Sequence, residues 1–365
     1  MKTAIVNSVL ATLAAGFNFN KRSPVSYDGY QVLRVKTLSQ LASVQKRLAS
    51  IPHEQWNHDV ETHIDIVISP DQVETIGALG LDFRVLRKDL GESISAESQS
   101  SSTYKRDVSD LSWYDSYHPY EDHVRYFADL HDAFPNNSKL VYSGRSFENL
   151  SIHGIHLFGD EGPGKPAAVE YITLQLIKAH QNATKATDSI SKQYDFHIFP
   201  VVNPDGFVYS QEPSDTIENQ GLDAYVRKLR DSSGIKLYIG WHSYGQYILS
   251  PFGSNETLYA PDLGKWTKTA SVLSEVIRDS SERRTTFTFG PSGATLYTTT
   301  GAAPDHVYVI GGADFSYTIE LPDTGDYGFV LPPDRILGAA QEQWEGQKVL
   351  YSLLDEEFFD GIGDA

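Results

Sequence analysis

Apolar residues recur in two rhythms along this chain, and the places where the rhythm changes divide it. Between residues 28 and 88 a strand-like run at 30–35 is followed by a helical run at 38–48. A second alternating stretch at 62–68, a short helix at 70–79 and a strand-like run at 83–86 complete the block. Alternation with period two gives a strand one core face, and recurrence at three and four residues does the same for a helix. The β-α-β-α-β order predicts a small α+β unit. Residues 91–109, GESISAESQSSSTYKRDVS, break the pattern, being rich in Ser and Glu and nearly free of large apolar side chains. They predict a linker. The dibasic pair Lys105-Arg106 inside it is a place where proteolytic release is expected.

Beyond residue 111 the strand pattern returns at 152–158, 196–202, 236–241 and 314–321. It alternates with helical runs at 120–134, 168–181, 222–229, 264–278 and 339–354. That alternation predicts an α/β domain, a mixed sheet with helices on both faces. No internal repeat is evident, and the acidic C-terminal tail reads as a solvated end. The first 16 residues have the layout of a secretory signal: Lys2, an apolar stretch over 5–15 and small residues at Ala14, Ala15 and Gly16. Four glycosylation triplets, at Asn136, Asn149, Asn182 and Asn255, accord with export of a glycoprotein.

Composition narrows the function classes. Of 365 residues, 30 are Lys or Arg and 48 are Asp or Glu, a formal charge of −18. An acidic total lacks the basic face that phosphate binding needs, so no nucleic-acid partner is expected. The absence of cysteine removes disulfides, thiolate metal sites, Fe–S clusters and cysteine nucleophiles together. No stretch is long and apolar enough for a membrane span, so no membrane partner is expected.

The candidate chemistry lies in an ordered set of motifs. Gly144-Arg145-Ser146-Phe147-Glu148-Asn149 precedes a strand, and Asn203-Pro204-Asp205-Gly206-Phe207 comes later. Trp241-His242-Ser243-Tyr244-Gly245 follows, then Gly293-Ala294-Thr295-Leu296-Tyr297, then Thr318-Ile319-Glu320-Leu321 with Asp323-Thr324-Gly325 and Tyr327-Gly328-Phe329. By itself, a histidine after a buried strand such as His242 is most often a hydrogen-bonded core group. A carboxylate within an apolar strand, such as Glu320, costs several kcal/mol unless it is paired or functional. In this order the set resembles the secreted zinc metallocarboxypeptidases of the carboxypeptidase A family (M14), in their fungal form, over nearly the whole chain.

The resemblance implies a zymogen: a signal peptide at 1–16, an activation propeptide at 17–111 with its linker at 91–109, and a catalytic domain at 112–365. It implies an extracellular, monomeric hydrolase that removes the terminal residue of peptides and proteins with free C-termini, using one Zn2+, with its own propeptide as inhibitor. His242 corresponds to a zinc ligand, Glu320 to the catalytic carboxylate, Tyr297 to the tyrosine that closes over the terminal residue, and Tyr244 to a neighbouring subsite.

The chain also departs from that family. After Gly159 it reads DEGPGKPAAVEYITLQLIK, so the strand ending in the family's HxxE zinc pair is expected to be missing from the middle of the sheet. A second discontinuity after Gln211 removes the segment for the oxyanion arginine and the Asn-Arg pair that grips the terminal carboxylate. Two other HxxE matches, at His58–Glu61 and His118–Glu121, lie outside the position where the pair belongs. His153 and His156, three apart on a strand, point to opposite faces. The alternative is an inactive product, at most a peptide-binding module. A serine hydrolase built on Ser243 is disfavoured, because Trp241 stands where a nucleophile elbow needs glycine.

Overall fold

Strand β1 (Ala4–Val6) belongs to a different sheet from the four strands that follow it in sequence. The computed structural model describes residues 4–6, 26–57, 60–99, 104–146, 149–158, 170–182, 194–204 and 217–354. The first block forms a four-stranded antiparallel sheet of order β3-β4-β2-β5, from β2 (Gln31–Lys36), β3 (Glu54–Gln55), β4 (His63–Ile68) and β5 (Phe83–Arg87). Helices α1 (Leu41–Leu48) and α2 (Val73–Ala78) cover one face, where Leu33, Val35, Ile64, Ile66 and Ile68 pack with Val44, Leu48 and Ile76. The other face is apolar too: Val32 and Val67 meet Leu90, Trp56 and Val330, so this sheet is docked onto the larger domain.

The expected linker is partly structured. Residues Leu90–Gln99 form helix α3, because Leu90 and Ile94, one turn apart, pack into that second apolar face. Further along, the Tyr104 ring meets Trp113 edge-on at 4.9 Å, and Arg106 grips Asp129 with two hydrogen bonds of 2.5 and 3.2 Å. The Asp129 carboxyl is held below its usual range chiefly by the Arg106 hydrogen bonds. Substituting Asp129→Asn frees Arg106, and cleavage after it by a trypsin-like protease is expected to quicken roughly two- to five-fold, the scale of an exposed ion pair. Unchanged cleavage rates in a gel time course contradict that role.

The larger domain carries an eight-stranded mixed sheet of order β11-β10-β12-β9-β1-β8-β7-β6. Its members are β6 (Ser138–Arg145), β7 (Ser151–Leu157), β8 (Phe196–Ile198), β9 (Leu237–His242), β10 (Tyr247–Ser250), β11 (Thr288–Pro291) and β12 (Phe315–Glu320). Helices α4 (Tyr120–Ala133), α5 (Glu170–Asn182), α6 (Ile217–Ser232), α7 (Leu263–Ser280), α8 (Ser292–Thr295), α9 (Ala303–Val309) and α10 (Ile336–Ser352) accompany it. On one face Leu237, Ile239, Trp241, Phe315, Tyr317 and Ile319 pack with Trp266 and Leu273 of α7. On the other, Tyr238 meets Val226 of α6 and Val307 of α9. Strands β9 and β12 run parallel and end together.

The vacancy expected in mid-sheet is occupied. Strand β1 runs parallel to both β8 and β9, with Ile5 in register with His197 on one side and Tyr238 on the other. It comes from the segment read as a secretory signal. The physical demand is plain: two central strands with bare N–H and C=O groups need a partner, and an apolar segment supplies one. Strand β8 ends at Ile198, where its pairing with both β1 and β7 stops, although the apolar pattern suggested a strand to 202. Strand β6 escaped the sequence pattern because it lies at a sheet edge and leaves Leu140 and Tyr142 exposed, and β10 and β11 because each has only four residues.

Candidate active site

Parallel pairing of β9 with β12 sets His242 opposite Glu320 in register, so the two side chains leave the same face at the carboxyl ends of neighbouring strands. Such strand ends are where open α/β sheets place ligands. Burial sets both groups' chemistry: it pushes the His242 imidazole down to about 4, so a lone pair is available at neutral pH, and pushes the Glu320 carboxyl up to about 7. A carboxyl that exchanges its proton near neutrality suits acid–base work.

The two tyrosines arrive from loops. Tyr297 follows α8 and is 41% exposed. Burial raises its phenol, and the Glu320 charge raises it further, which places the two groups in one electrostatic field. Tyr244 lies in the bend between β9 and β10, directly before Gly245, whose φ is +149°. Its hydroxyl is buried and has no hydrogen-bond partner among the described residues. Its ring meets Phe329 edge-on at 5.0 Å, and Phe329 meets Trp56 of the small domain at 5.5 Å.

The loop that carries Phe329 is built around Asp323, whose Oδ2 accepts from the backbone N–H of Gly325, Tyr327 and Gly328 at 2.7, 2.9 and 2.7 Å. Two glycines there allow close approach. A Cβ on Gly325 collides with the Arg34 guanidinium, and one on Gly328 falls 2.8 Å from the Trp56 ring. Arg34 pairs with Asp65 at 2.7 and 2.8 Å and also donates to the Thr324 carbonyl. Thus the small domain sits on the loop beside Tyr244, a juxtaposition between residues almost 300 apart that no local pattern reveals.

Other candidates take structural places. His118 stacks on Trp113 at 3.6 Å and 3° and its Nε2 bonds the Trp113 carbonyl, so it forms no ligand pair with Glu121. His58 lies outside the described residues, as do residues 159–169 and 205–216. His156 stacks on His197, whereas His153 faces the other way toward Tyr142. Glu170, unremarked in the sequence, is buried and bonded to Trp113 Nε1 and His123 Nδ1 at 3.0 and 2.5 Å. Burial opposes a charge on His123, and Glu170 outweighs it and raises that imidazole's pKa. Among the described residues, the set of His, Asp and Glu donors close enough to share an ion is His156, Asp195 and His197, which does not include His242.

Comparison with known proteins gives a consistent result. The family model "Zinc carboxypeptidase" matches residues 159–228 and 212–346 in two pieces, which overlap just beyond the second discontinuity. A metallocarboxypeptidase A-like protein of Trichophyton verrucosum is 28% identical over 430 residues, spanning 97% of this chain and 100% of the relative. That alignment is longer than this chain, so the relative carries segments that this chain lacks. Metallocarboxypeptidase A of Trichophyton equinum is 27% identical, over 89% of this chain and 93% of the relative. Among solved structures, thrombin activatable fibrinolysis inhibitor superposes with a TM-score of 0.76 at 19% identity, covering 89% of this chain and 98% of that one. Carboxypeptidase A from Helicoverpa armigera gives 0.70 at 22% identity, covering 90% and 98%.

Proposed function

Because the chain belongs to the zinc carboxypeptidase family, we propose that it hydrolyses the C-terminal peptide bond of peptides and proteins at the shared end of β9 and β12. The observation that carries this is the register of His242 with Glu320 on one face, with Tyr297 within the field of the Glu320 charge. Glu320 takes a proton from the attacking water and delivers it to the leaving amine. Tyr297 closes over the terminal residue, and the unpaired Tyr244 hydroxyl offers a donor to the neighbouring subsite. Asp305 accepts the Gly253 N–H at 3.0 and 3.2 Å and is committed to the backbone, so it does not attract a basic side chain. Aromatic or aliphatic terminal residues fit better.

Zinc is the family's cofactor, and a catalytic zinc takes three protein ligands with a fourth position open to water. His242 is one such donor, and the described residues near it do not complete the set. Among the described residues, the donors at this position are too few to hold the ion as a catalytic site. That observation is what motivates the second reading, a peptide-binding module without catalysis.

The reading includes secretion with a signal at 1–16, a propeptide over 17–111 that inhibits by covering Tyr244 and Phe329, a catalytic domain at 112–365, and a monomeric glycoprotein product. The four triplet asparagines, all exposed, support glycosylation. Export and sheet completion compete for residues 4–6, so the N-terminal sequence of the exported product decides which role they serve.

The experiment is to purify the full chain, cut it after Arg106 and follow release of C-terminal residues with and without a chelator. Activity that appears on cleavage and disappears with the chelator supports hydrolysis. Peptide binding with no release at any stage supports the module.

A further inference from the structure

We propose that His156, Asp195 and His197 form a second divalent-metal site, for zinc or a similar borderline ion, beneath α6 and apart from His242. Antiparallel pairing of β7 with β8 puts His156 directly opposite His197, and Asp195 immediately precedes β8. One donor atom from each lies within 4.8 Å of those of the other two. Two imidazoles and a carboxylate are a donor set that zinc accepts.

Three details point to an ion rather than to a closed hydrogen-bond network. The Asp195 side chain is 1% exposed, its Oδ2 is 2.8 Å from His156 Nε2, and its Oδ1 is buried with no hydrogen-bond partner among the described residues. His197 is 5% exposed and its Nδ1 meets Tyr225 Oη at 2.7 Å. With Nδ1–H donating to that oxygen, Nε2 keeps its lone pair, the outer-shell arrangement typical of metal-bound histidine. The two imidazole rings stack at 4.0 Å and 17°, a contact that protonation of both rings opposes and that a shared cation rewards. Besides burial, the charges that reach His197 are those of His156 and then Lys228 of α6, and bound metal must outweigh the lysine. His156, with 14% of its side chain exposed, opens the way in.

The site is separate from the proposed active site. His197 is in register with Ile5 and Ile5 with Tyr238, four positions before His242 on β9. That places the two sites roughly 13 Å apart along the strands, with a strand between. A metal here pins β7 to β8 beside the mid-sheet position that β1 fills with three residues.

The test is equilibrium dialysis of the full-length chain against micromolar free Zn2+, with metal counted by mass spectrometry and Co2+ absorption as the spectroscopic readout. The wild type and His242→Ala are expected to bind one equivalent each, with a tetrahedral Co2+ spectrum. Tyr225→Phe is expected to weaken binding roughly 10-fold through loss of the outer-shell bond. Asp195→Asn and His156→Gln are expected to abolish it. Should Asp195→Asn fail to fold, the partly exposed His156→Gln decides. No bound zinc in the wild type, loss of binding in His242→Ala, or full binding in His156→Gln overturns the proposal.

Discussion

Replacing Glu320 with Gln is expected to lower C-terminal hydrolysis by the processed chain about 10²- to 10⁴-fold, the span of a lost general acid–base group. The amide keeps the shape and removes the proton exchange. Because burial already favours the neutral carboxyl near pH 7, the substitution leaves folding stability unchanged or slightly raised. The loss should therefore fall on kcat, with the thermal midpoint preserved. Single-turnover rates on a short peptide, alongside a melting curve, check both halves. A variant that retains more than about a tenth of wild-type kcat, well short of the loss expected of an acid–base residue, removes Glu320 from the chemistry.

The second large effect is on the core. Trp266 of α7 is 1% exposed and meets the rings of Tyr308, Phe315 and Tyr317 at 5.4, 5.7 and 5.3 Å. Its backbone carbonyl also accepts from the Tyr317 hydroxyl at 3.2 Å. Truncation to Ala leaves a cavity against β12, the strand that carries Glu320. It is expected to cost about 3–5 kcal/mol, as for other buried aromatics. Urea denaturation of wild type and Trp266→Ala measures it through the midpoint. A cost below about 1 kcal/mol, the level of a substitution outside the core, places Trp266 outside the packed layer.

Much of this architecture was legible because its signals are local. Residues 236–241 are mostly apolar and read as a strand buried on both faces, and β9 is found at Leu237–His242. Residues 264–278 carry helical spacing, and α7 is found at Leu263–Ser280. The order of motifs brought His242 and Glu320 into one reading, and strand register put them side by side.

What stayed hidden depends on contacts distant in sequence. Nothing local marks Ala4–Val6 as a strand between β8 and β9; only two neighbours lacking a partner make that position favourable. Leu90–Gln99 reads as a Ser/Glu-rich linker, and its helicity follows from a docking surface supplied by the small sheet. Asp195 and His197 look like ordinary residues before the Asn-Pro-Asp motif, and their convergence with His156 needs the β7–β8 pairing. The Arg34–Asp65 pair against the 323–328 loop is likewise a tertiary event.

The most direct measurement is mass spectrometry of one peptide offered in two forms, with a free C-terminal carboxylate and with a C-terminal amide, to the chain cut after Arg106. The account predicts stepwise loss of single residues from the free form, starting at the C-terminus, and an intact amide. Two intact peptides, or cleavage at internal bonds in both, contradict it.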